Sequence, residues 1–219
     1  MSSMKGEDTR NIIKVAARRL FALRGIDGVS VRDIAAAAEQ RNSGSINYYF
    51  RSKEALVSEL VVDGAKAINE RRNAMLDGLE AARGSLTLRK VVDVLVRSTF
   101  GPEDGLEDHT YLRFIAWLQM NHRDLFLAAL DNTWNTGYQR CLAHIRALLP
   151  SLPAAVLNQR LVFMGLYLNA TLSAREAALD AAGVGGHGFW DAAYTMDNLT
   201  DTVLALLEGK PSAATTKQL

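Results

Sequence analysis

The sequence predicts an all-α protein, with an N-terminal unit of three short helices followed by a larger helical body. Apolar residues recur at the spacing of one helix face along most of the chain, and no segment of useful length alternates as a strand does. Only 4 of the 219 residues are proline, so few positions interrupt a helix. With 48% hydrophobic and 22% charged residues, the composition is that of a globular protein with a substantial core.

The basic residues are concentrated towards the N-terminus. Residues 1–60 contain ten Lys and Arg against seven acids, whereas the remainder contains fifteen against seventeen. This asymmetry has the sign that attracts phosphate groups. The single cysteine, Cys141, excludes an intramolecular disulfide and is typical of a reducing compartment. No segment resembles a signal peptide or a membrane span, so we expect a cytoplasmic protein without membrane contact.

The first two helices are marked by their ends. Asp8 or Thr9 can cap the first helix, and Gly25 ends it. Ser30 caps the second helix, with Asp33 in the place of the Glu or Gln of a capping box. Both helices carry an apolar stripe, which predicts that they pack against each other.

A polar turn at 39–42 leads to a third helix at 43–50, in which Ile46 and Phe50 are spaced to face inward. Two short helices joined by so short a connection have the geometry of a helix-turn-helix. The outward surface of the third helix is then a candidate for insertion into a DNA groove. In the alternative interpretation, the aromatic residues of this helix only pack a small three-helix core.

The body contains six further predicted helices, and Ser52 caps the first of them. This long helix joins the N-terminal unit to the body as a rigid connector. We divide the chain into an N-terminal domain at 1–55, a helical body at 56–210 and a disordered tail at 211–219. The six helices are predicted at 52–79, 86–100, 109–121, 123–149, 154–182 and 189–208.

Four linked segments of the first sixty residues resemble the DNA-binding domain of the TetR (tetracycline repressor-like) family of bacterial transcription regulators. The turn departs from the common pattern and resembles a subgroup whose turn reads A-G-Q-R-N, with Glu39 here in the place of glycine. A non-glycine residue at positive φ is uncommon, so the turn either relaxes or strains Glu39. The matching pieces are Ile13…Ala16…Leu20-Phe21…Arg24-Gly25, Ser30-Val31-Arg32-Asp33-Ile34-Ala35, Gly44-Ser45-Ile46-Asn47-Tyr48-Tyr49-Phe50 and Ser52-Lys53-Glu54-Ala55-Leu56.

The resemblance implies a homodimeric repressor that binds double-stranded DNA at a palindromic operator and responds to a small, largely apolar effector. It also assigns roles to individual positions of the N-terminal domain. Ser43, Gly44 and Ser45 would lie at the base-reading end, with Asn42 beside them in the turn. Asn47 and Tyr48 would face the groove and the DNA backbone, Tyr49 and Lys53 would contact phosphates, Ser30 and Arg32 would touch the backbone, and Arg41 could reach either.

Four basic residues of the first helix fall mostly off its apolar stripe. They could form an edge that faces phosphates, or simply a solvated helix face, since exposed Lys and Arg are the usual case. The four residues are Arg10, Lys14, Arg18 and Arg19.

In the body, the resemblance implies an effector pocket between helices and a dimer interface formed by the last two helices. Large apolar side chains with occasional embedded amides could line such a pocket, although an ordinary packed core explains them equally well. The candidate pocket residues are Phe114, Trp117, Met120, Trp134, Tyr138, Phe163, Tyr167 and Asn169. The candidate interface residues are Gly165, Ala170, Ala174, Leu199, Val203 and Leu206.

Two other classes of function stay open at this stage. A helical-bundle enzyme would show H-E-x-x-H or paired E-x-x-H motifs, whereas the four histidines of this chain are scattered and match neither pattern. A DNA-binding architectural protein without an effector would need a body that has no cavity. We expect no catalytic residue, metal site or cofactor.

Overall fold

The computed structural model describes residues 2–40, 42–82, 84–101 and 109–218, and the side chains of all of these except 2–5 and 184. The described residues form eleven α-helices and one 3₁₀ turn at Gly183–Gly185, with no strand among them. The all-α prediction is confirmed. The helices are α1 Ser2–Arg24, α2 Val31–Ala37, α3 Gly44–Phe50, α4 Lys53–Ala81, α5 Leu88–Arg97, α6 Tyr111–Asn121, α7 Arg123–Leu130, α8 Thr136–Leu148, α9 Ala154–Ala182, α10 Thr195–Glu208 and α11 Ala213–Thr216.

Two apolar cores lie side by side and share α4. The first packs α1, α2, α3 and the first half of α4 against α6, and includes Phe21, Ile46 and Phe114. The second packs the second half of α4 against α5, α8, α9 and α10. Because α4 runs through both, it is the rigid connector that its 29-residue length predicts.

The first core extends beyond the three N-terminal helices. Tyr111, Phe114 and Leu118 of α6 are buried in it, and the Phe21 and Phe114 rings stack with centroids 6.0 Å apart. The Tyr111 hydroxyl donates a hydrogen bond of 3.0 Å to the Val61 carbonyl of α4. The N-terminal unit is therefore packed directly on a helix of the body.

The helix predicted at 123–149 is divided in two, which corrects that prediction. Asp131 and Asn132 have φ angles of 45° and 51°, in the left-handed region, and end α7. Asp and Asn tolerate this region better than other non-glycine residues. The start of α8 is then capped from α4, because the Asn69 Oδ1 atom accepts the Gly137 N–H at 2.8 Å. Sequence periodicity cannot show a cap that comes from another helix.

Other boundaries also differ from the prediction. The first helix begins at Ser2 instead of at Asp8 or Thr9, because nothing before Arg24 forces the chain out of helix. The last long helix begins at Thr195 instead of at 189, and the exposed Phe189 and Tyr194 lie in the turns before it. No helix among the described residues is long and apolar enough to cross a membrane.

Candidate nucleic-acid interface

The second helix begins with the predicted capping box, which is confirmed. The Ser30 Oγ atom accepts the Asp33 N–H at 3.2 Å, and the Asp33 carboxylate accepts the Ser30 N–H at 2.8 Å. Hydrogen bonds from the Ser30 hydroxyl and N–H hold the pKa of Asp33 below its usual value. The Ser30 side chain is thus engaged in fixing α2, while Arg32 in the first turn of this helix is exposed.

The turn between α2 and α3 places Glu39 at a φ of 53°, so this residue accepts the strain that the sequence suggested. The Glu39 N–H donates to the Ala36 carbonyl at 3.2 Å, and the Gln40 N–H donates to the Ala35 carbonyl at 2.9 Å. These two bonds make a Schellman ending, in which the left-handed position is usually glycine. Two backbone hydrogen bonds therefore hold the turn in its strained form and set how the chain enters α3.

The third helix is anchored by apolar side chains in the core, and its first turn is capped by the turn that precedes it. Ile46 and Phe50 are buried in the N-terminal core, as predicted. The Asn42 Oδ1 atom accepts the Gly44 N–H at 2.9 Å, and the Ser45 hydroxyl donates to the Asn42 carbonyl at 2.7 Å. Asn42 and Ser45 therefore hold the start of α3, and Ser43 beside them is only half-buried.

The outward face of α3 is polar and aromatic. Asn47 is exposed, and Tyr48 is 82% exposed, more than any other large hydrophobic side chain of the described residues. Tyr49 is half-buried and lies edge-on to Tyr48, with ring centroids 5.1 Å apart. Next to them, a shallow groove of about 540 Å³ separates α1 from α3, and Thr9, Gln40 and Tyr48 border it. A large aromatic side chain held outward on a rigid helix is a surface suited to contact with another molecule.

Lys53 occupies a position that the sequence did not reveal. Its ammonium group donates to the carbonyl oxygens of Ile26 at 3.0 Å and Val29 at 3.1 Å, in the connection between α1 and α2. Lys53 is also the first residue of α4, which Ser52 caps by accepting the Ala55 N–H at 3.1 Å. Two of its three donors are therefore used in hydrogen bonds to the backbone.

Each of the four basic residues of α1 is bound to a group on another part of the fold, and Arg19 also remains exposed. Arg10 pairs with Glu59 and lies 5.0 Å above the Phe50 ring. Lys14 pairs with Glu59 and with Asp63, the latter at 2.9 Å. Glu59 and Asp63 lie four residues apart on α4, as Arg10 and Lys14 do on α1. This matching spacing is the sequence pattern from which the ion pairs could have been predicted.

The other two basic residues of α1 tie it to the body. Arg18 is buried, and its Nε donates a hydrogen bond of 3.2 Å to the Thr110 hydroxyl. Arg19 pairs with Asp180 of α9 at 3.4 Å, and Asp180 also accepts Arg113 of α6 at 2.8 Å. The hydrogen bond from Arg113 is the main cause that lowers the pKa of Asp180. Of the predicted DNA contacts, Arg41 lies outside the described residues.

The eight residues predicted to line an effector pocket do not converge on one space. Phe114 belongs to the N-terminal core, and the Trp117 indole lies against Gly25, where an added Cβ atom would be 2.5 Å from it. Met120 and Phe163 are exposed, Met120 by 81%. The remaining four are half-buried in different surroundings, with Trp134 on the N-terminal core, Tyr138 and Tyr167 on the body core, and Asn169 hydrogen-bonded to Gln119.

The predicted interface residues also divide into two groups. Leu199 and Val203 are buried in the body core, because α10 has one apolar face and packs it onto α5 and α9. They are not available to a partner, and Leu206 and Gly165 are half-buried. Ala170 and Ala174 of α9 are exposed. On the same helix, Val162, Phe163 and Leu166 are each more than half exposed.

A three-helix unit that presents a polar and aromatic third helix on a buried anchor defines the class of helix-turn-helix DNA-binding proteins. Residues 13–60 match the family profile described as bacterial regulatory proteins, tetR family. The N-terminal part of the chain is therefore similar to the DNA-binding domain of TetR-family transcription regulators. No curated protein matches the chain significantly in sequence.

Two solved structures share the fold over 93% of this chain at low sequence identity. The probable transcriptional regulatory protein RHA5900 is 21% identical with a TM-score of 0.55, and the match covers 93% of this chain and 99% of that one. The superantigen PfiT is 19% identical with a TM-score of 0.50, covering 93% and 98%. A candidate TetR-family regulator from Mesorhizobium loti MAFF303099 is 20% identical with a TM-score of 0.49, covering 93% and 96%.

Proposed function

We propose that this protein is a ligand-responsive transcriptional repressor that binds a palindromic operator as a homodimer through α3. The single observation that carries the proposal is the outward face of α3, where Asn47 and Tyr48 are exposed while Ile46 and Phe50 anchor the helix in the core. Side chains held in this way can reach base edges in a major groove. Repression as the direction of control follows from resemblance to the family.

The DNA contacts divide into base-reading and backbone groups. Ser43, Gly44, Ser45, Asn47 and Tyr48 lie on or beside the outward surface of α3 and are proposed to face the groove. Arg32, Tyr49 and the third donor of Lys53 are proposed to hold phosphates, which position the protein without reading sequence. Asn42 and Ser30 support this surface through the caps that they form.

The homodimer is proposed to form through α9. This helix is apolar around most of its circumference, so it buries one face in the body and leaves Val162, Phe163, Leu166, Ala170 and Ala174 at the surface. A two-fold dimer presents two α3 helices, and its symmetry requires a palindromic operator. Leu199 and Val203 are no longer part of the proposed interface.

Regulation is proposed to pass along the helices that join the two cores. Besides α4, charged groups link α9, α6 and α1: Glu176 accepts the N–H groups of Leu112 and Arg113, each at 2.9 Å, and Asp180 binds Arg113 and Arg19. An effector that binds better when the two α3 helices are spread apart would lower operator affinity by linkage.

Selection of bound sequences from random DNA tests the proposal. The full chain is expected to enrich sites with two inverted half-sites whose centres lie about one helical turn or more apart. Enrichment of no palindromic site would contradict operator recognition, and enrichment of single, unpaired half-sites would contradict the dimer.

A further inference from the structure

Arg72 is an arginine deep in the body that has no acidic partner. It lies in the second half of α4, facing α5 and α8. Its Nε donates a hydrogen bond of 3.0 Å to the Ser98 hydroxyl, and its guanidinium carbon lies 5.8 Å from the centre of the Tyr138 ring. Among the described residues, no carboxylate pairs with it. Burial lowers the pKa of Arg72, and the neighbouring Arg71 adds a like charge.

The surroundings of Arg72 differ from those of Arg140 and Arg113. Arg140 pairs with Asp77 at 2.8 Å and with Glu80 at 2.9 Å, and Arg113 pairs with Asp180. At the end of α5, the Ser98 carbonyl is already taken by Arg71 at 2.9 Å, which leaves only the hydroxyl for Arg72. A buried guanidinium without a counter-charge is costly, so its retention at this place calls for a partner.

Tyr138 provides a second unused polar group beside Arg72. Its hydroxyl has no hydrogen-bond partner among the described residues, and burial raises the pKa of Tyr138, so it remains a neutral donor. An added Cβ atom at Gly165 of α9 would lie 3.2 Å from this hydroxyl. An added Cβ atom at Gly137 would lie 3.1 Å from the Arg72 Cβ. The two glycines thus let α8 and α9 approach these two side chains closely.

Both polar side chains are deep, yet both remain partly accessible. They are therefore not completely sealed in the core. The neighbouring Cys141 and Met164 are completely buried and apolar. A ligand placed here would meet two donors at one end and apolar side chains at the other.

We propose that Arg72 and Tyr138 bind the carboxylate of an effector whose remainder is apolar. The proposal rests on the proposed function, in which the body receives a ligand. The two Nη groups of Arg72 form a planar fork that matches a carboxylate, and Ser98 already holds the third nitrogen in place. The Tyr138 hydroxyl supplies a further donor. The ligand would bring the negative charge that the described residues around Arg72 lack.

Matched pairs of carboxylates and neutral amides test this inference on the full chain. Octanoate and benzoate are compared with octanamide and benzamide, by thermal melting and by release of the selected operator. At a hundredfold excess over Kd, a carboxylate is expected to raise Tm by about 5–10 °C and to release the operator, while its amide does neither.

Variants separate binding by Arg72 from a structural role. Arg72→Met should weaken carboxylate binding at least about tenfold, yet keep operator binding and melt no lower than the wild type without ligand, because it removes an uncompensated charge. Tyr138→Phe, which keeps the ring, should weaken binding about three- to tenfold. The control Arg89→Met changes an exposed arginine of α5 and should leave carboxylate binding unchanged.

Two results would overturn the inference: no response to either carboxylate from a protein that binds its operator, or equal responses of the wild type, Arg72→Met and Tyr138→Phe. Failure to select any operator would count against the proposed function instead, so the two failures are distinguishable.

Discussion

The ammonium group of Lys53 donates a hydrogen bond to the carbonyl oxygen of Ile26 at 3.0 Å, across 27 positions of the chain. Together with the bond to Val29, it ties the first residue of α4 to the connection from which α2 begins. The helix that leads into the body is therefore joined to the start of the helix-turn-helix. Movement of α4 would be transmitted to α2 at this point.

Replacement of Lys53 by alanine is expected to act on both stability and DNA binding. Loss of two hydrogen bonds from a charged donor should lower the free energy of unfolding by about 1–3 kcal/mol in urea denaturation. Loss of one phosphate contact should reduce the salt slope of DNA binding by about one and weaken binding to all sequences alike. The exposed Lys210, changed to alanine, serves as the control. An unchanged salt slope would leave Lys53 with its structural role only.

Glu39 has a left-handed backbone conformation at the end of α2, so a substitution at this residue can stabilise the protein. Glu39→Gly should raise the free energy of unfolding by about 1 kcal/mol, because glycine adopts positive φ without a Cβ clash. The matched control is Glu39→Ala, which removes the carboxylate but keeps the Cβ atom and should give no such gain. If alanine stabilised the fold as much as glycine, charge and not backbone strain would be the cause.

The exposed apolar face of α9 predicts how dimerisation can be prevented. Leu166→Glu places a charge in the middle of this face, and burial of an unpaired charge at an interface is strongly unfavourable. Light scattering on a sizing column should then give the mass of one chain, where the wild type gives the mass of two. Leu127→Glu, at an exposed apolar residue of α7, should remain dimeric. A dimeric Leu166→Glu variant would exclude this face.

Glu176 forms a buried link between α9 and α6, so its replacement should lower stability. Its two carboxylate oxygens accept the N–H groups of Leu112 and Arg113 in the first turn of α6. Glu176→Gln should lower the free energy of unfolding by about 1–3 kcal/mol, since an amide NH₂ group cannot accept the second N–H. Glu208→Gln, at the exposed end of α10, should change stability little. Equal effects of the two substitutions in denaturant unfolding would argue against the link.

The parts of the fold that depend on neighbouring residues could be predicted from the sequence. The Ser30–Asp33 capping box and the inward spacing of Ile46 and Phe50 are local patterns, and the structure shows both. The long apolar segment of α9 was likewise evident from its composition.

The interactions that cross between helices could not be predicted in this way. Lys53 binds two backbone carbonyls, and carbonyls have no signature in a sequence. The break at Asp131 contains neither glycine nor proline, so the helical spacing of apolar residues predicted one continuous helix across it. Leu199 and Val203 were expected at a dimer interface because an apolar stripe does not say which helix will cover it. The missing information in each case is the identity of the packing partner.

The most direct test of the account is the specificity of Asn47→Ala. Affinity is measured at one salt concentration for the selected operator and for unrelated DNA of equal length, with Asn158→Ala of α9 as the control. If α3 reads bases, Asn47→Ala should lose about 1–3 kcal/mol on the operator and almost nothing on unrelated DNA. Equal losses on the two DNAs, or no loss on the operator, would contradict the assignment of α3 as the reading helix.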